Sequence, residues 1–561
     1  MRTLAVALLL ATVQSAAAQA PELHRAGLPR HDVVRLEAMI QDSATQRITG
    51  DYVVGSGERV DGNLYVRRGI LRIAGTVRGQ VLVVDGDLDF EPGAEVTGDV
   101  TVVGGVVTGS DDARLAGTVT EYGEGFGLLA RAERLHDGRD DWRGGTRNAW
   151  RDRDCCRDRA EAGLSVGVGQ NYNRVEGLPV QIGPTFSTGG ENPMRIEGRA
   201  IWRTDVGPLT QTERMGYLAR AEQFFGGGAV RIGGTYSSTI QPIESWTATD
   251  LESSLASAIL HEDLRDYYES EGWSAYLRVA PRRSPLDIVA RYREERHSSV
   301  AVRNPWTLFD QEEPWRDQPL VGEGRVRLAE LSLQWDSRRG SDFVPRGWFA
   351  RVDVLRGLSG TLAMPQAGLF PAGATTTFDS DFTTAMLDLR TYVPFDRIGS
   401  IGFRVLGGGS VDDRTVAPQF QHALGGAGTL PGYSLMSVDC GARGSSVAVP
   451  ANGTAAPTRF FTGYGCDRFA LFQAEYRGGL DLHFGDRGSH WRHVDTDVDW
   501  TIFFDAARGW VLGNEVFRAD TETLYDAGAG IVLGGFGIYG AVPLSGEERP
   551  LRVFIRLGPR F

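Results

Sequence analysis

Few residues in this chain have types and spacings that suit chemistry. Four cysteines fall in two groups, Cys155-Cys156 and Cys440 with Cys466, and none of them makes a C-x-x-C pair or a cysteine–histidine cluster with zinc spacing. His490 and His493 stand at i and i+3, in a stretch expected to be a periplasmic turn. The G-x-S-x-G elbow of a serine hydrolase, the H-E-x-x-H of a zinc hydrolase and the P-loop of a nucleotide binder are absent. Glycine clusters such as Gly226-Gly227-Gly228 suit tight turns between strands better than a phosphate cradle. The sequence therefore predicts no enzyme, no cofactor and no metal. A net charge of −13 argues against nucleic acid as a partner.

What remains is a set of charged side chains threaded through alternating stretches. Ala470, Phe472, Ala474, Tyr476, Gly478, Leu480 and Leu482 alternate with Gln473, Glu475, Arg477, Asp481 and His483. Val498, Trp500, Ile502 and Phe504 alternate with Asp497, Asp499, Thr501 and Asp505. Successive side chains of a strand point to opposite faces, so each stretch has one aromatic-rich face and one charged face. A soluble sandwich turns its polar face to bulk water. A membrane barrel turns its apolar face to lipid and its charged face to a wet lumen.

The beginning of the chain points the same way. Arg2, the apolar run Leu4 to Val13 and the A-x-A site Ala16-Ala17-Ala18 read as a secretory signal over residues 1–18. That run is shorter than the roughly 20 residues a spanning helix needs, and no later segment supplies one. An exported chain of this kind is either soluble or crosses a membrane as strands.

From residue 161 to 561 the period-two pattern yields about sixteen candidate strands, an even number as bacterial barrels prefer. They lie near 162–170, 178–187, 194–203, 216–224, 228–237, 272–280, 285–294, 327–336, 347–356, 381–392, 399–408, 469–483, 496–505, 524–534, 536–544 and 550–560. The long connections near 238–271, 295–326, 357–380, 409–468 and 506–523 all fall on one parity, that of outer loops. Those between them are short, the longest being 484–495, which holds the histidine pair. The last strand carries Val553, Ile555 and Leu557 at period two and ends at Phe561, with Pro559 breaking the set. A terminal aromatic after alternating apolar residues is the usual ending of an outer-membrane barrel.

Three segments precede the barrel. Residues 21–49 are mixed and polar, with a short helix expected within His31 to Asp42. Residues 50–125 repeat: Gly62, Gly79, Gly98 and Gly117 recur at nearly constant spacing, interleaved with Gly69, Gly86 and Gly105. The apolar positions align as Leu64 with Val81 and Val100, Val66 with Val83 and Val102, and Leu71 with Leu88 and Val107. Aliphatic pairs broken by glycine corners predict a β-solenoid whose rungs must stack to bury their apolar faces, the alternative being a small β-sandwich. The stretch resembles the polymer-forming bactofilin β-helix in Val60-Asp61-Gly62-Asn63 and Val96-Thr97-Gly98-Asp99, which implies self-association through the solenoid. Residues 126–160 form a charged linker rich in arginine and aspartate. Cys155 and Cys156 lie in it and are either an interchain crosslink or incidental. The predicted fold class is thus all-β, a 16-stranded antiparallel transmembrane barrel preceded by a small periplasmic β-solenoid.

Four motifs in the barrel resemble the bacterial surface antigen family, which contains the outer-membrane assembly factors of the BamA/TamA type. Asp336-Ser337-Arg338 with Pro345-Arg346-Gly347-Trp348 is similar to its D-x-R…P-x-G-aromatic turn. Leu424 to Tyr433, with Gly425, Gly426, Leu430, Pro431, Gly432 and Tyr433, is similar to its G-G-x-x-x-(L/V)-R-G-(F/Y) loop and falls in the sixth outer loop. Glu475-Tyr476-Arg477 resembles its E-Y-R strand. Tyr525 to Gly530 and Tyr539 to Leu544 resemble its closing strands. The resemblance implies an outer-membrane barrel that inserts or translocates other proteins. It also implies a loop folded into the lumen, with an arginine meeting acidic strand residues that here match Glu475 and Asp505. Two departures stand out. Pro431 occupies the arginine position and cannot donate to a carboxylate, so the anchoring contact is missing or replaced, Arg443 being one substitute. Residues 21–160 show no repeated strand–helix–helix–strand pattern of POTRA modules.

Cys440 and Cys466 share the sixth outer loop. A disulfide between them would close about 25 residues and contribute roughly 3 kcal/mol; the alternative is two free thiols. Asp250 to Tyr268, with Leu251, Leu255, Ile259 and Leu264 at helical spacing, is expected to be a loop helix capping the barrel mouth. Two functions remain: an assembly or translocation factor with client outer-membrane proteins as partners, and a structural barrel or passive pore anchored or oligomerised through its solenoid. Both have outer-membrane lipid as a partner and place the N-terminal domain in the periplasm.

Overall fold

The computed structural model describes residues 35–122 and 160–561 apart from short interruptions, the longest being 207–214, 339–346, 366–375, 442–447, 450–464, 485–493 and 513–519. Residues 1–34 and the charged stretch 123–159 lie outside it.

Residues 46–122 wind into a solenoid with three parallel sheets. The first stacks Gln46–Thr49, Leu64–Arg67, Val81–Val84, Val100–Val103 and Val119–Tyr122. The repeat alignment read from the sequence is the register of the ladders: Leu64 pairs with Val81 and Val81 with Val100, while Leu71 pairs with Leu88 and Leu88 with Val107. The aliphatic positions form one buried core from Val54 to Val107. The glycine corners stack directly. A Cβ on Gly79 would sit 2.3 Å from the carbonyl oxygen of Gly62, and one on Gly98 would sit 2.5 Å from that of Gly79, so no larger residue fits there. The residue after the corner ties one rung to the next: Asn63 Oδ1 accepts from the Gln80 amide at 2.9 Å, and Asp99 Oδ1 accepts from the Thr118 amide at 2.9 Å. Of the helix expected within 31–42, residues 35–36 and 38–40 are described and helical, and Leu36 and Met39 cover Tyr65, Leu82, Val84 and Val103.

The rest of the chain is a 16-stranded antiparallel barrel sheet in which sequence neighbours are spatial neighbours. Its strands are β1 (Glu161–Val168), β2 (Pro179–Ser187), β3 (Met194–Arg203), β4 (Gly216–Phe225), β5 (Val230–Pro242), β6 (Tyr267–Val279), β7 (Leu286–Ser298) and β8 (Gly324–Asp336). They continue as β9 (Gly347–Ala363), β10 (Thr383–Pro394), β11 (Gly399–Ser410), β12 (Arg468–Phe484), β13 (Val494–Trp510), β14 (Leu524–Leu533), β15 (Phe536–Pro543) and β16 (Arg552–Leu557). A further short strand, Thr377–Asp379, pairs with the end of β9 ahead of β10. Every expected strand is present. Several run further on the long-loop side than alternation predicts: β5 reaches Pro242, β7 reaches Ser298 and β9 reaches Ala363. Stretches such as Arg293-Glu294-Glu295-Arg296 are polar on both faces, so no apolar period marks them as strand.

The barrel is inside-out relative to a soluble protein. Leu164 (70 %), Val166, Ile232, Trp335, Ile502 and Ile531 are exposed outward, while Arg404, Gln473, Glu475, Thr501 and Asp505 are buried inward. The loop segment Asp250 to Tyr268 is a correction. The helix covers only Asp250–Leu255, closed by a capping box between Thr249 and Glu252, and a π turn follows over Ala256–Leu260. His261 then takes a left-handed conformation (φ 59°) that ends the helix, and Tyr267 and Tyr268 already belong to β6. The last strand is a second correction. It stops at Leu557, and Phe561, expected at its end, is buried with its ring stacked on inward-facing Tyr392.

Candidate functional site in the barrel lumen

The loop between β11 and β12 folds back into the lumen, and its glycines make this possible. Gly425 and Gly426 hold φ of 105° and 91°, a region that side chains with a Cβ rarely adopt. This lets the Gly426 amide turn back toward the carbonyl oxygens of Leu430 (3.1 Å) and Tyr433 (3.2 Å). Thr429 Oγ1 accepts from the Gly425 amide at 2.8 Å. Leu430 is fully buried in an apolar cluster with Leu406, Leu424, Phe469, Leu471 and the disulfide formed by Cys440 and Cys466, whose Cα atoms are 5.2 Å apart. The loop tip then seats on the closing strands. The Gly432 amide donates to Asp526 Oδ2 on β14 at 2.7 Å. Tyr433 Oη donates to the carbonyl oxygen of Tyr525 at 3.2 Å. Gln473 on β12 donates to the carbonyl oxygen of Thr429 at 3.2 Å and accepts from Arg404 at 3.3 Å. Arg404 itself forks onto Asp388 at 3.0 and 2.8 Å.

Glu475 and Asp505 both face inward, as expected, on neighbouring strands. Arg477 donates to Glu475 Oε1 through Nε at 3.1 Å and through a terminal nitrogen at 2.6 Å. Asp505 lies directly opposite Asp526 in the β13–β14 ladder. Two carboxylates opposite one another repel when both are ionised, and Arg560 places a cation beside them. Its guanidinium bonds Asp505, lies 3.7 Å from Glu475 Oε2, and covers the Phe503 ring with 3.6 Å between its central carbon and the ring centroid. Pro431 takes no part in this cluster. Arg443, the substitute considered from the sequence, lies outside the described residues, as do His490, His493, Cys155 and Cys156.

The edge of the sheet carries the other half of the site. Among the described residues no ladder joins β1 to β16. The backbone amide of Leu557 on β16 donates instead to Glu252 Oε1 at 2.7 Å, and Arg556 donates to the same oxygen at 2.8 Å. Arg556 also reaches the carbonyl oxygen of Ala427, in the turn that follows Gly425 and Gly426, at 3.0 Å. The loop helix therefore reaches the last strand from inside rather than only covering the mouth. A second link ties the two inward loops together: His422 pairs with Glu244 at 3.0 Å, and the Ala423 amide donates to the same carboxylate at 3.2 Å. Burial pushes the Glu244 carboxyl above the ordinary carboxylate range despite its contact with His422.

In the turn motif after β8, Arg338 forks onto Asp336 at 3.0 Å through both contacts and Gly347 takes φ 107°, while Pro345 and Arg346 lie outside the described residues. Sequence reasoning missed Asp388, Arg404, Glu252 and Arg560. Asp526 stood inside a quoted motif, but nothing in its alternation set it apart from Gly528. For Arg560 the signal in the sequence was Pro559, which breaks the alternation just before it. Among the described residues no group of histidine, cysteine and carboxylate side chains is arranged to hold a metal, and no helix is long and apolar enough to cross a membrane.

No protein-family model matches the chain, and no curated protein matches it. Among solved structures it is similar to BamA from Haemophilus ducreyi lacking POTRA domains 1–3, at 14 % identity and a TM-score of 0.40, over 71 % of this chain and 70 % of that one. It is also similar to CdiB from Escherichia coli at 11 % identity and a TM-score of 0.31, over 71 % of this chain and 62 % of that one. The ferric enterobactin receptor PfeA from Pseudomonas aeruginosa, as a mutant, follows at 10 % identity and a TM-score of 0.30, over 70 % of this chain and 63 % of that one.

Proposed function

We propose that this chain is an outer-membrane barrel that inserts or translocates other proteins, working at the edge between β1 and β16. The observation that carries the reading is the missing ladder between those strands among the described residues. An unsatisfied backbone group in hydrocarbon costs several kcal/mol, and sheet edges are templates for another strand. An edge of this kind suits a barrel that pairs transiently with a client strand. The outward apolar belt supports the bilayer placement, and the loop that holds Gly425 to Tyr433 inside the lumen supports kinship with the BamA/TamA type. The N-terminal solenoid would then stand in the periplasm where that type carries POTRA modules. Its resemblance to bactofilin repeats supports self-association there. No catalytic role is proposed.

The competing reading is a passive or purely structural barrel. Against a passive pore stands a lumen occupied by the loop helix, the inward loop and the chain terminus. Depletion in the native host separates the readings: quantitative comparison of the outer-membrane proteome is expected to show several other barrel proteins reduced. An unchanged proteome would exclude general assembly and leave the structural reading.

A further inference from the structure

The tail after β16 occupies a formed pocket. Arg560 is 1 % exposed, Asp505 is fully buried and Glu475 is nearly so. Phe561 completes the seat. Its carbonyl oxygen accepts from Tyr392 Oη at 2.6 Å, and its ring packs over Gly402, where a Cβ would sit 3.3 Å from Phe561 Cε2. Two carboxylates on neighbouring strands, an aromatic floor at Phe503 and a glycine-lined slot at Tyr392 thus match an arginine followed by an aromatic residue.

We infer that this pocket is a receptor for an arginine–aromatic pair, and that the chain's own Arg560 and Phe561 fill it as an internal latch. Arg560 provides the cation that Pro431 cannot. With Arg560 and Phe561 held against β10–β13, the Leu557 amide is capped by Glu252, and among the described residues β16 forms no ladder with β1. The latch keeps the lumen shut and the edge occupied until the tail leaves. Its meaning for client handling rests on the function proposed above; the pocket and its occupant do not.

The test uses the full-length protein. Oxidation of the Gly402→Cys/Phe561→Cys variant is expected to give a crosslinked peptide on mass mapping, and its absence would overturn the placement of the tail. In planar bilayers, Arg560→Ala is expected to raise the frequency of conducting openings roughly tenfold to a hundredfold, the range for losing a charge-assisted buried contact. Arg560→Lys should recover only part of the closure, since an ammonium cannot fork between two carboxylates while lying flat on a ring. Adding Pro431→Arg to Arg560→Ala should return the closed state. If Arg560→Ala does not accumulate, Asp505→Asn leaves the terminus untouched and is expected to open the lumen in the same way. Openings as rare as in the parent protein would refute the latch even where the crosslink forms. Loss of the latch with an unchanged outer-membrane proteome on depletion would instead locate the failure in the client reading.

Discussion

The substitution Gly432→Ala tests whether the inward loop is held by its tip. In the native structure the Gly432 amide donates to Asp526 at 2.7 Å. A Cβ added there would sit 2.7 Å from Asp526 Cβ and 2.9 Å from the Pro543 nitrogen. Both are closer than real contacts allow, and both atoms belong to strands that cannot retreat without disturbing the β14–β15 ladder. The loop must lift instead. Hydrogen bonds to charged groups are worth roughly 1.5–3 kcal/mol, and forced overpacking costs roughly 1–3 kcal/mol. Taking about 3 kcal/mol for the two together, the equilibrium between seated and lifted loop shifts by roughly a hundredfold. Hydrogen exchange on peptides spanning 425–433 of the purified full chain reads this directly, since the Gly426, Thr429 and Tyr433 amides are bonded within the seated turn. Exchange there is expected to accelerate by about that factor while the strands of β12 and β13 stay protected. The matched control is Gly540→Ala, whose Cβ would meet only Leu551 Cδ1, at 3.3 Å. Unchanged protection at 425–433 in a folded Gly432→Ala barrel would refute the claim that the tip holds the loop.

The remaining predictions address the disulfide and the solenoid. Replacing Cys440 and Cys466 with serine opens a closure spanning 26 positions and should cost roughly 3 kcal/mol; non-reducing mass mapping of the native protein should find the linked peptide, and two free thiols would count against it. Gly98→Ala places a Cβ 2.5 Å from the Gly79 carbonyl oxygen, and exchange protection of the Val81–Val84 and Val100–Val103 amides should fall while the barrel is unaffected. The Asp99 carboxyl is held below the ordinary carboxylate range by hydrogen bonds from the Thr118 amide and hydroxyl. Its stabilising contribution is therefore present above that range and fades as pH falls through it. The Thr118 amide should lose protection on acidification in the native protein, and Asp99→Asn should flatten that dependence.

The two halves of the molecule differ in how plainly the sequence announces them. In the solenoid each residue meets its equivalent one rung away, so the spacing of Gly62, Gly79, Gly98 and Gly117 is itself the register. In the barrel the alternation of β12 and β13 locates Glu475 and Asp505 on the inner face because burial there depends on parity alone. The contacts of the site do not follow from parity. Arg560 meets Asp505 across the lumen, and Glu252 meets Leu557 from a loop hundreds of positions earlier in the chain. Such pairings are set by how far the loops fold inward, which depends on Gly425, Gly426 and Gly432 fitting against particular backbone atoms. The motif residues of the loop were legible for the same reason the tail was not: a turn is a local event, whereas a latch is made by residues that share only a cavity.

The edge that carries no ladder among the described residues and the filled lumen are two sides of one arrangement. β16 ends at Leu557, and Arg560 and Phe561 beyond it are held inside the barrel. The chain exchanges backbone hydrogen bonds at the edge for buried charged contacts at Arg560, Arg556 and Leu557. Such contacts are strong while both partners are present and costly when one is removed. That makes the tail a discrete two-position element rather than a frayed end. Substitution at Asp505 or Glu252 should consequently be felt at β16 more than at the strand and the loop helix that carry them.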